Sequence, residues 1–252
     1  MAKTSFPGIY SVRVTILLLA TTISLSLQGE EYRYTVRYTG IPISNVTITT
    51  DTAGSFWQGT YSAEVRGLFR YLFDIDNTYK LTAEPETWKA HRYTKTIREG
   101  NFHAEQVFRY PIHGTTNQVI LPDSSTRMLS PETRNLFSAL LWLQHHNWEP
   151  GETHSLPVEI DGTVWGVEIQ SETITRIRSG NTRVKCLLLE VTFREKLRGY
   201  EFPLRTDYLS KFLPAKGRIL RIWLDFSTDT IHRIIVPMGP FTVKAFLEEN
   251  PR

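Results

Sequence analysis

The sequence predicts a mostly β fold: a single curved antiparallel sheet, half-open or closed into a barrel, with one main packed α-helix. Three observations predict it. After residue 30 the apolar residues alternate with a period of two. Aromatic and β-branched residues dominate the apolar set, which favours strands. One segment, from Ser130 to about His146, carries convincing helical spacing.

The elements follow in order. In EYRYTVRYTG, Tyr32, Tyr34, Val36 and Tyr38 point one way and Arg33, Thr35, Arg37 and Thr39 the other, which reads as a strand with one buried face. Gly40 to Ile43 breaks it. Asn45 to Thr50 begins a second strand, and Trp57 to Val65 reads as a third. Residues 66–88 admit two readings, a short helix followed by a strand or two strands. HRYTKTIREGNFHAEQVFRY reads as a hairpin around Glu99-Gly100-Asn101. Gln118 to Leu121 is a further short strand.

For the helix, Ser130 suits the N-cap, Pro131 the first helical position and Glu132 the positive end. Leu136, Phe137, Leu140, Leu141 and Leu143 recur at helical spacing, and Pro150-Gly151 ends the segment. Asp161-Gly162 is the strongest hairpin signal, and Ser179-Gly180-Asn181 marks another turn. A long connection over 199–216 carries a short helix at Thr206 to Phe212. RILRIWLDF, IHRIIVP and FTVKAFL close the chain as a meander in which Leu220, Ile222, Leu224 and Phe226 share a face. No repeat or low-complexity linker interrupts this, so residues 30–252 read as a single antiparallel β domain.

The first segment reads as a leader outside the fold. Lys3 and Arg13 supply a positive region, Val14 to Leu27 an apolar stretch, and Ser24, Ser26 and Gly29 small residues for cleavage. A secretory signal peptide over 1–29 is therefore expected; the alternative is an uncleaved anchor, for which the stretch is short. The leader holds two of the 29 basic and none of the 26 acidic residues, leaving 27 against 26 and a net charge of only +1. Global charge thus gives no support to nucleic-acid binding. Cys186, the single cysteine, cannot form an internal disulfide, and its apolar surroundings VKCLLLEV predict an inert thiol. No cysteine follows the leader as a lipid anchor would need. The expected location is periplasmic or secreted, in a bacterium, with no membrane span after cleavage.

The order YTVRYTGIPISNVTI, IREGNF, SALLWLQ, the hairpin IDG and the closing RIWLDFSTDTIHRIIVPMG resembles a bacterial exported family, domain-of-unknown-function family 3108. The most specific parts are Tyr34-x-Val36-x-Tyr38-x-Gly40-Ile41-Pro42-Ile43 and Ile222-Trp223-Leu224 followed by Val236-Pro237. The resemblance spans nearly the whole chain after the leader. It implies export and one domain, and no chemistry. Asp225-Phe226-Ser227 stands where the family usually has Ser and Asp after Trp-Leu, so the turn differs. In shape the fold is similar to the half-barrels of lipoprotein carriers, an analogy of fold alone.

Candidate chemistry is sparse. Adjacent His145 and His146 point about 100° apart on a helix and cannot readily share a metal; His91, His103, His113, His154 and His232 are scattered. These read as surface or core histidines, with no metal and no cofactor expected. There is no G-x-S-x-G elbow. Glu159, Asp161, Glu168 and Glu172 lie on or near one hairpin and read as a solvated face, since nothing marks a carboxyl in an apolar pocket. No catalytic residue is named. Tyr32, Tyr34 and Tyr38, with Trp223, are the candidate ligand-pocket wall, ordinary core being the alternative. Asp225 and Arg233 are the candidate structural ion pair, fixing the closing hairpin. Arg176, Arg178, Arg183 and Lys185 flank one turn, where they either meet anionic head groups or are simply solvated.

Three functions stay open: a non-catalytic binder or carrier of an apolar or amphipathic ligand such as a lipid, an enzyme acting on envelope glycan or lipid, and a structural or assembly factor. A concave apolar face in a bent sheet favours the first.

Overall fold

Alternating inward and outward side chains build fifteen strands and two helices among the described residues of the computed structural model, which are 29–67, 70, 74–111, 117–198, 205–225, 227–238 and 241–248. Residues 1–28 lie outside them, as do Phe226 and His113. In chain order come β1 (Glu31–Tyr38), β2 (Ile41–Ala53), β3 (Phe56–Val65), β4 (Asp76–Ala83), β5 (Ala90–Glu99) and β6 (Phe102–Arg109). Then follow β7 (Asn117–Ile120), β8 (Thr126–Leu129), β9 (Arg134–Asn135), α1 (Leu136–His145), β10 (Thr153–Ile160), β11 (Thr163–Ser179) and β12 (Thr182–Arg198). The chain ends with α2 (Tyr208–Phe212), β13 (Ile219–Asp225), β14 (Thr230–Met238) and β15 (Phe241–Leu247).

All fifteen strands form one sheet, in the order β8 down to β1, then β15 down to β9. Two meanders are therefore sewn together by one long-range pair, β1 against β15, with Tyr34 opposite Leu247 and Val36 opposite Ala245. Every pairing is antiparallel except β9 with β10. The sheet curves without closing, and β8 and β9 stay at its edges. Bulges after Val36, in β11 at Val164–Val167 and Ser171–Ile174, and at Trp223 help to bend it. The turns lie where glycine and asparagine place them: Thr39-Gly40, Gly100-Asn101, Asp161-Gly162 and Gly180-Asn181. At Asp161 and Gly162 both φ angles are positive (50° and 83°), as a two-residue hairpin requires. Residues 76–83, in the stretch with two readings, are strand β4.

Helix α1 lies across the concave face and buries two sides. Phe137 and Leu141, four residues apart, enter a cluster with Tyr61, Tyr79, Leu81, Tyr93 and Phe108 from the first meander. Ala139 and Leu143, offset by two, enter a second cluster with Leu156, Val158, Leu189, Phe193 and Ile222 from the other. A helix apolar all round is one buried all round. Its start differs from the sequence expectation. The N-cap is Asn135, whose side chain accepts from the Phe137 N–H at 3.0 Å. Ser130 instead closes a turn with Thr133, and Arg134-Asn135 pairs with Val158-Glu159, so strand pairing takes residues that local capping rules assign to the helix. The short α2 forms within the expected 206–212 segment, capped by Asp207.

Candidate functional site

Between α1 and the middle of the sheet the structure leaves a cavity of about 650 Å³. Its wall is the inward face of β1, β2, β15 and β14: Tyr32, Tyr34 and Val36, then Val46 and Ile48, then Ala245 and Ile234. Alternation alone puts these on one side. On the other side stand Phe137, Leu140, Leu141 and Gln144 of α1. Trp57 and Trp88 meet edge to face at 6.1 Å, and Trp88 stacks on His145 at 4.3 Å, forming an aromatic corner. Gly59 allows the Trp57 indole to lie over its own strand; a Cβ there would meet the ring at 2.2 Å. The Tyr34 hydroxyl reaches over β15 and donates to the Ile231 carbonyl at 2.9 Å.

The lining is mainly apolar, with polar groups at both ends: His145 with Asp229 at 3.3 Å and Glu30 toward one, and Glu99 with Asn77 toward the other. At the second of these ends the Glu99 carboxylate accepts from Asn77 Nδ2 at 2.6 Å and from the Tyr208 N–H at 3.0 and 3.1 Å. Burial pushes its pKa up, against the lowering effect of those donors. A second recess of about 610 Å³ shares Glu99 and Tyr208 and is lined also by Lys196, Arg205 and Lys211.

The predicted wall is partly gathered here. Tyr32 and Tyr34 line the cavity. Tyr38 does not; it lies past the Val36 bulge, beside the Thr39-Gly40 turn. Trp223 is on the opposite face, because its neighbours Ile222 and Leu224 are the inward residues of β13. There it meets the Arg233 guanidinium at 5.4 Å, and Arg233 also lies over Phe246 at 5.1 Å. This corrects the expected Asp225–Arg233 pair as well. Trp223 stands opposite Arg233, and past the bulge that follows it Asp225 stands opposite Thr230. Asp225 accepts from the Ser227 N–H (3.0 Å) and hydroxyl (2.6 Å) to shape the turn, with His232 Nε2 at 3.8 Å.

Three fully buried charged groups, Lys95, Asp207 and Glu159, escaped the sequence reading. Lys95 is fully buried on β5, with Asp161 at 2.7 Å and Asp207 at 2.5 Å, and it donates to Thr206 (2.7 Å) and Ser210 (3.1 Å). It ties β5, the β10–β11 turn and the start of α2. Burial acts to raise the Asp207 pKa, but Lys95 and Ser210 outweigh it and hold the carboxyl below its ordinary range. The signal was present: Lys95 falls between Tyr93 and Ile97 in the inward register.

Glu159 is also fully buried, and burial pushes its pKa up to about 7 even though Tyr110 donates to it at 2.6 Å. So Glu159 and Asp161 are not the solvated carboxylates expected. Glu168 does reach the surface, pairing with Arg194. Cys186 is buried, and burial pushes its thiol up to about 12, as an inert thiol requires. Arg176, Arg178, Arg183 and Lys185 are all exposed on one face of the β11–β12 hairpin, with Arg176 opposite Lys185 and Arg178 opposite Arg183. Past the end of α1, His146, Glu152 and His154 come together, which their sequence positions did not suggest.

A curved, open antiparallel sheet holding an apolar cavity under a helix defines a β-barrel-like protein with a ligand-sized hollow. The chain belongs to the DUF3108 family, described as protein of unknown function, whose profile matches residues 33–246. Among curated proteins nothing matches. Among solved structures the fold is similar to a β-barrel-like protein of domain of unknown function DUF1849 from Brucella abortus. The TM-score is 0.56 at 11% identity, over 88% of this chain and 96% of that one. At that identity the likeness speaks to fold alone. A putative exported protein with a YmcC-like fold from Bacteroides fragilis aligns over 89% of this chain and 96% of its own. Its TM-score of 0.32 and 10% identity give no basis for an argument. No helix among the described residues is long and apolar enough to cross a membrane.

Proposed function

We propose that this protein is a non-catalytic binder or carrier of one apolar or amphipathic ligand, such as a lipid, in the bacterial cell envelope. The cavity carries this reading: about 650 Å³ is the size range of ligand sites, and its wall is mainly aliphatic and aromatic with polar groups toward its ends. An acyl or ring body fits against Val46, Ile48 and Leu140, and a polar head fits the Glu99 and Asn77 end. The exposed basic face of the β11–β12 hairpin supports an approach to anionic head groups, since like charges directly opposite one another cost stability in the fold itself. Location in the envelope rests on the leader in the sequence. Recovery of the protein from periplasmic or culture fractions with its leader missing supports it, and recovery intact in the cytoplasm refutes it.

The test is displacement of an environment-sensitive fluorescent fatty acid, together with mass spectrometry of lipid extracted from the purified protein. Val46→Trp fills the hollow and is expected to weaken binding at least tenfold while the far-UV spectrum holds. Trp223→Ala, on the outer face, is expected to leave binding unchanged. Wild-type protein that neither binds the probe nor carries lipid rules the carrier reading out.

One observation favours an enzyme acting on envelope glycan or lipid: the Glu99 carboxyl, in the cavity, has a raised pKa. Both its oxygens face donors, an arrangement that suits an anchor more than a free acid. Glu99→Gln separates the two readings. Turnover of a glycan or lipid ester by the wild type, abolished by this change, would select the enzyme.

A further inference from the structure

The adjacent histidines at the end of α1 part company in the fold. His145 turns to Trp88 and the cavity. His146, the C-cap, turns to the opposite side, where the loop returns into β10. There its Nε2 lies 3.3 Å from Glu152 Oε1, and His154 Nε2 lies 2.5 Å from the same oxygen. All three ligand atoms fall within 4.8 Å of one another. The geometry points to a divalent transition-metal site, with His146 Nε2, His154 Nε2 and a Glu152 carboxylate oxygen as ligands.

Three features make this more than a chance meeting of side chains. First, the carboxylate is held from behind: the Glu149 N–H donates to Glu152 Oε2 at 2.9 Å, leaving Oε1 to the imidazoles. That is the outer-shell support that orients metal ligands. Second, the backbone under it is fixed. The Glu152 N–H donates to the hydroxyl of Ser171, which is fully buried, and the Ser171 N–H donates to the Glu152 carbonyl at 2.9 Å.

Third, aromatic rings wall the cluster. His146 lies 4.7 Å from the Trp142 ring and 4.6 Å from Trp148, and His154 lies 5.5 and 5.4 Å from the same two. Trp148 is pinned in turn by its Nε1–H to the Leu143 carbonyl at 2.8 Å.

The donor set names the metal class. Two imidazoles and one carboxylate suit zinc, cobalt, nickel or copper; calcium and magnesium prefer all-oxygen sets. Tetrahedral zinc bonds of about 2.0–2.2 Å set neighbouring ligand atoms roughly 3.3–3.6 Å apart. The His146–Glu152 separation of 3.3 Å already meets this and the His154–Glu152 contact of 2.5 Å must open, which small side-chain rotations allow. The three side chains are only partly buried, which leaves a fourth position for water. Metal there would staple the end of α1 to β10 across the 147–152 loop.

The experiment titrates untagged, chelator-treated protein with Zn²⁺ against a chromogenic chelator and with Co²⁺ by visible absorption. One equivalent is expected to bind, with a four-coordinate Co²⁺ spectrum, and Cu²⁺ is expected to quench Trp142 and Trp148. His154→Ala, His146→Ala and Glu152→Gln should each weaken Zn²⁺ binding by at least about 100-fold, beyond the usual cost of an outer-shell loss. His103→Ala, a surface control on β6, should not. Circular dichroism checks folding, and Glu152→Gln keeps the shape if a histidine variant fails to fold. Absence of one-equivalent binding in the wild type, or binding that survives all three substitutions, overturns the site.

Discussion

The middle of the sheet and its flanks obey the same alternation but end up differently. In β4, β5 and β12 the inward residues are buried, under α1 and, at Lys95, under Asp161 and the start of α2. In β2 the inward residues are only half-buried, and they face the cavity. Leu143 on α1 completes one flank core and Leu141 the other, where Leu141 also borders the cavity; Ile48 packs only at the edge of that core, and Val46 belongs to neither. The difference teaches that two meanders pack on one helix as separate cores, and that the seam where β1 meets β15 is left hollow. An apolar wall left half-covered is costly in water unless something occupies it.

The comparison breaks first at Lys95. Lys95→Met leaves Asp161 and Asp207 buried without their cation, and should cost about 3–5 kcal/mol in urea unfolding. A loss under ~1 kcal/mol would mean that the flank does not depend on its ionic centre. Next is Leu143→Ala, which opens a void in a packed flank and should cost about 2–5 kcal/mol.

Glu159 gives a pH test of the same region. Its folded pKa of about 7 lies above its ordinary 4.5, so the native state keeps a proton that the unfolded chain has lost between those values. Stability from this group is therefore full below pH ~4.5 and lost as pH rises through ~7, on the order of 3 kcal/mol. Glu159→Gln should match the wild type near pH ~4.5 and exceed it at pH ~8, with stability curves measured at both. Equal slopes for the two proteins would show that the carboxyl is not held neutral. Asp207 works in the opposite sense: its pKa is lowered, so its contribution is present at neutral pH and fades as acid protonates it.

The smallest effect sharpens the comparison. Val46→Ala, on the cavity wall, should cost about 1 kcal/mol or less without ligand, because the wall already lacks a packed partner. A cost equal to that of Leu143→Ala would mean that the hollow behaves as a core.

Much of this was legible in local sequence. Asp161-Gly162 and Gly100-Asn101 fix their hairpins because few other residues tolerate positive φ there. Tyr34 and Val36 face inward because a strand alternates strictly. The expected Asp225–Arg233 pair failed on register: Arg233 stands opposite Trp223, two residues before Asp225, and the bulge after Trp223 sets Asp225 opposite Thr230. The start of α1 was misplaced because Asn135 satisfies the cap while also pairing as a strand.

By itself the sequence determined the rhythm, the turns and the helical segment, all of which depend on residues a few positions apart. Tertiary structure alone decided the rest. It joined β1 to β15 and brought Asp161, 66 residues away, to Lys95. It turned His146 toward Glu152 and His154, and it left a hollow where two cores fail to meet. The physical reason is range: dihedral preference and alternation act along the chain, whereas charge pairing, ligand convergence and packing depend on distances that only the folded sheet sets.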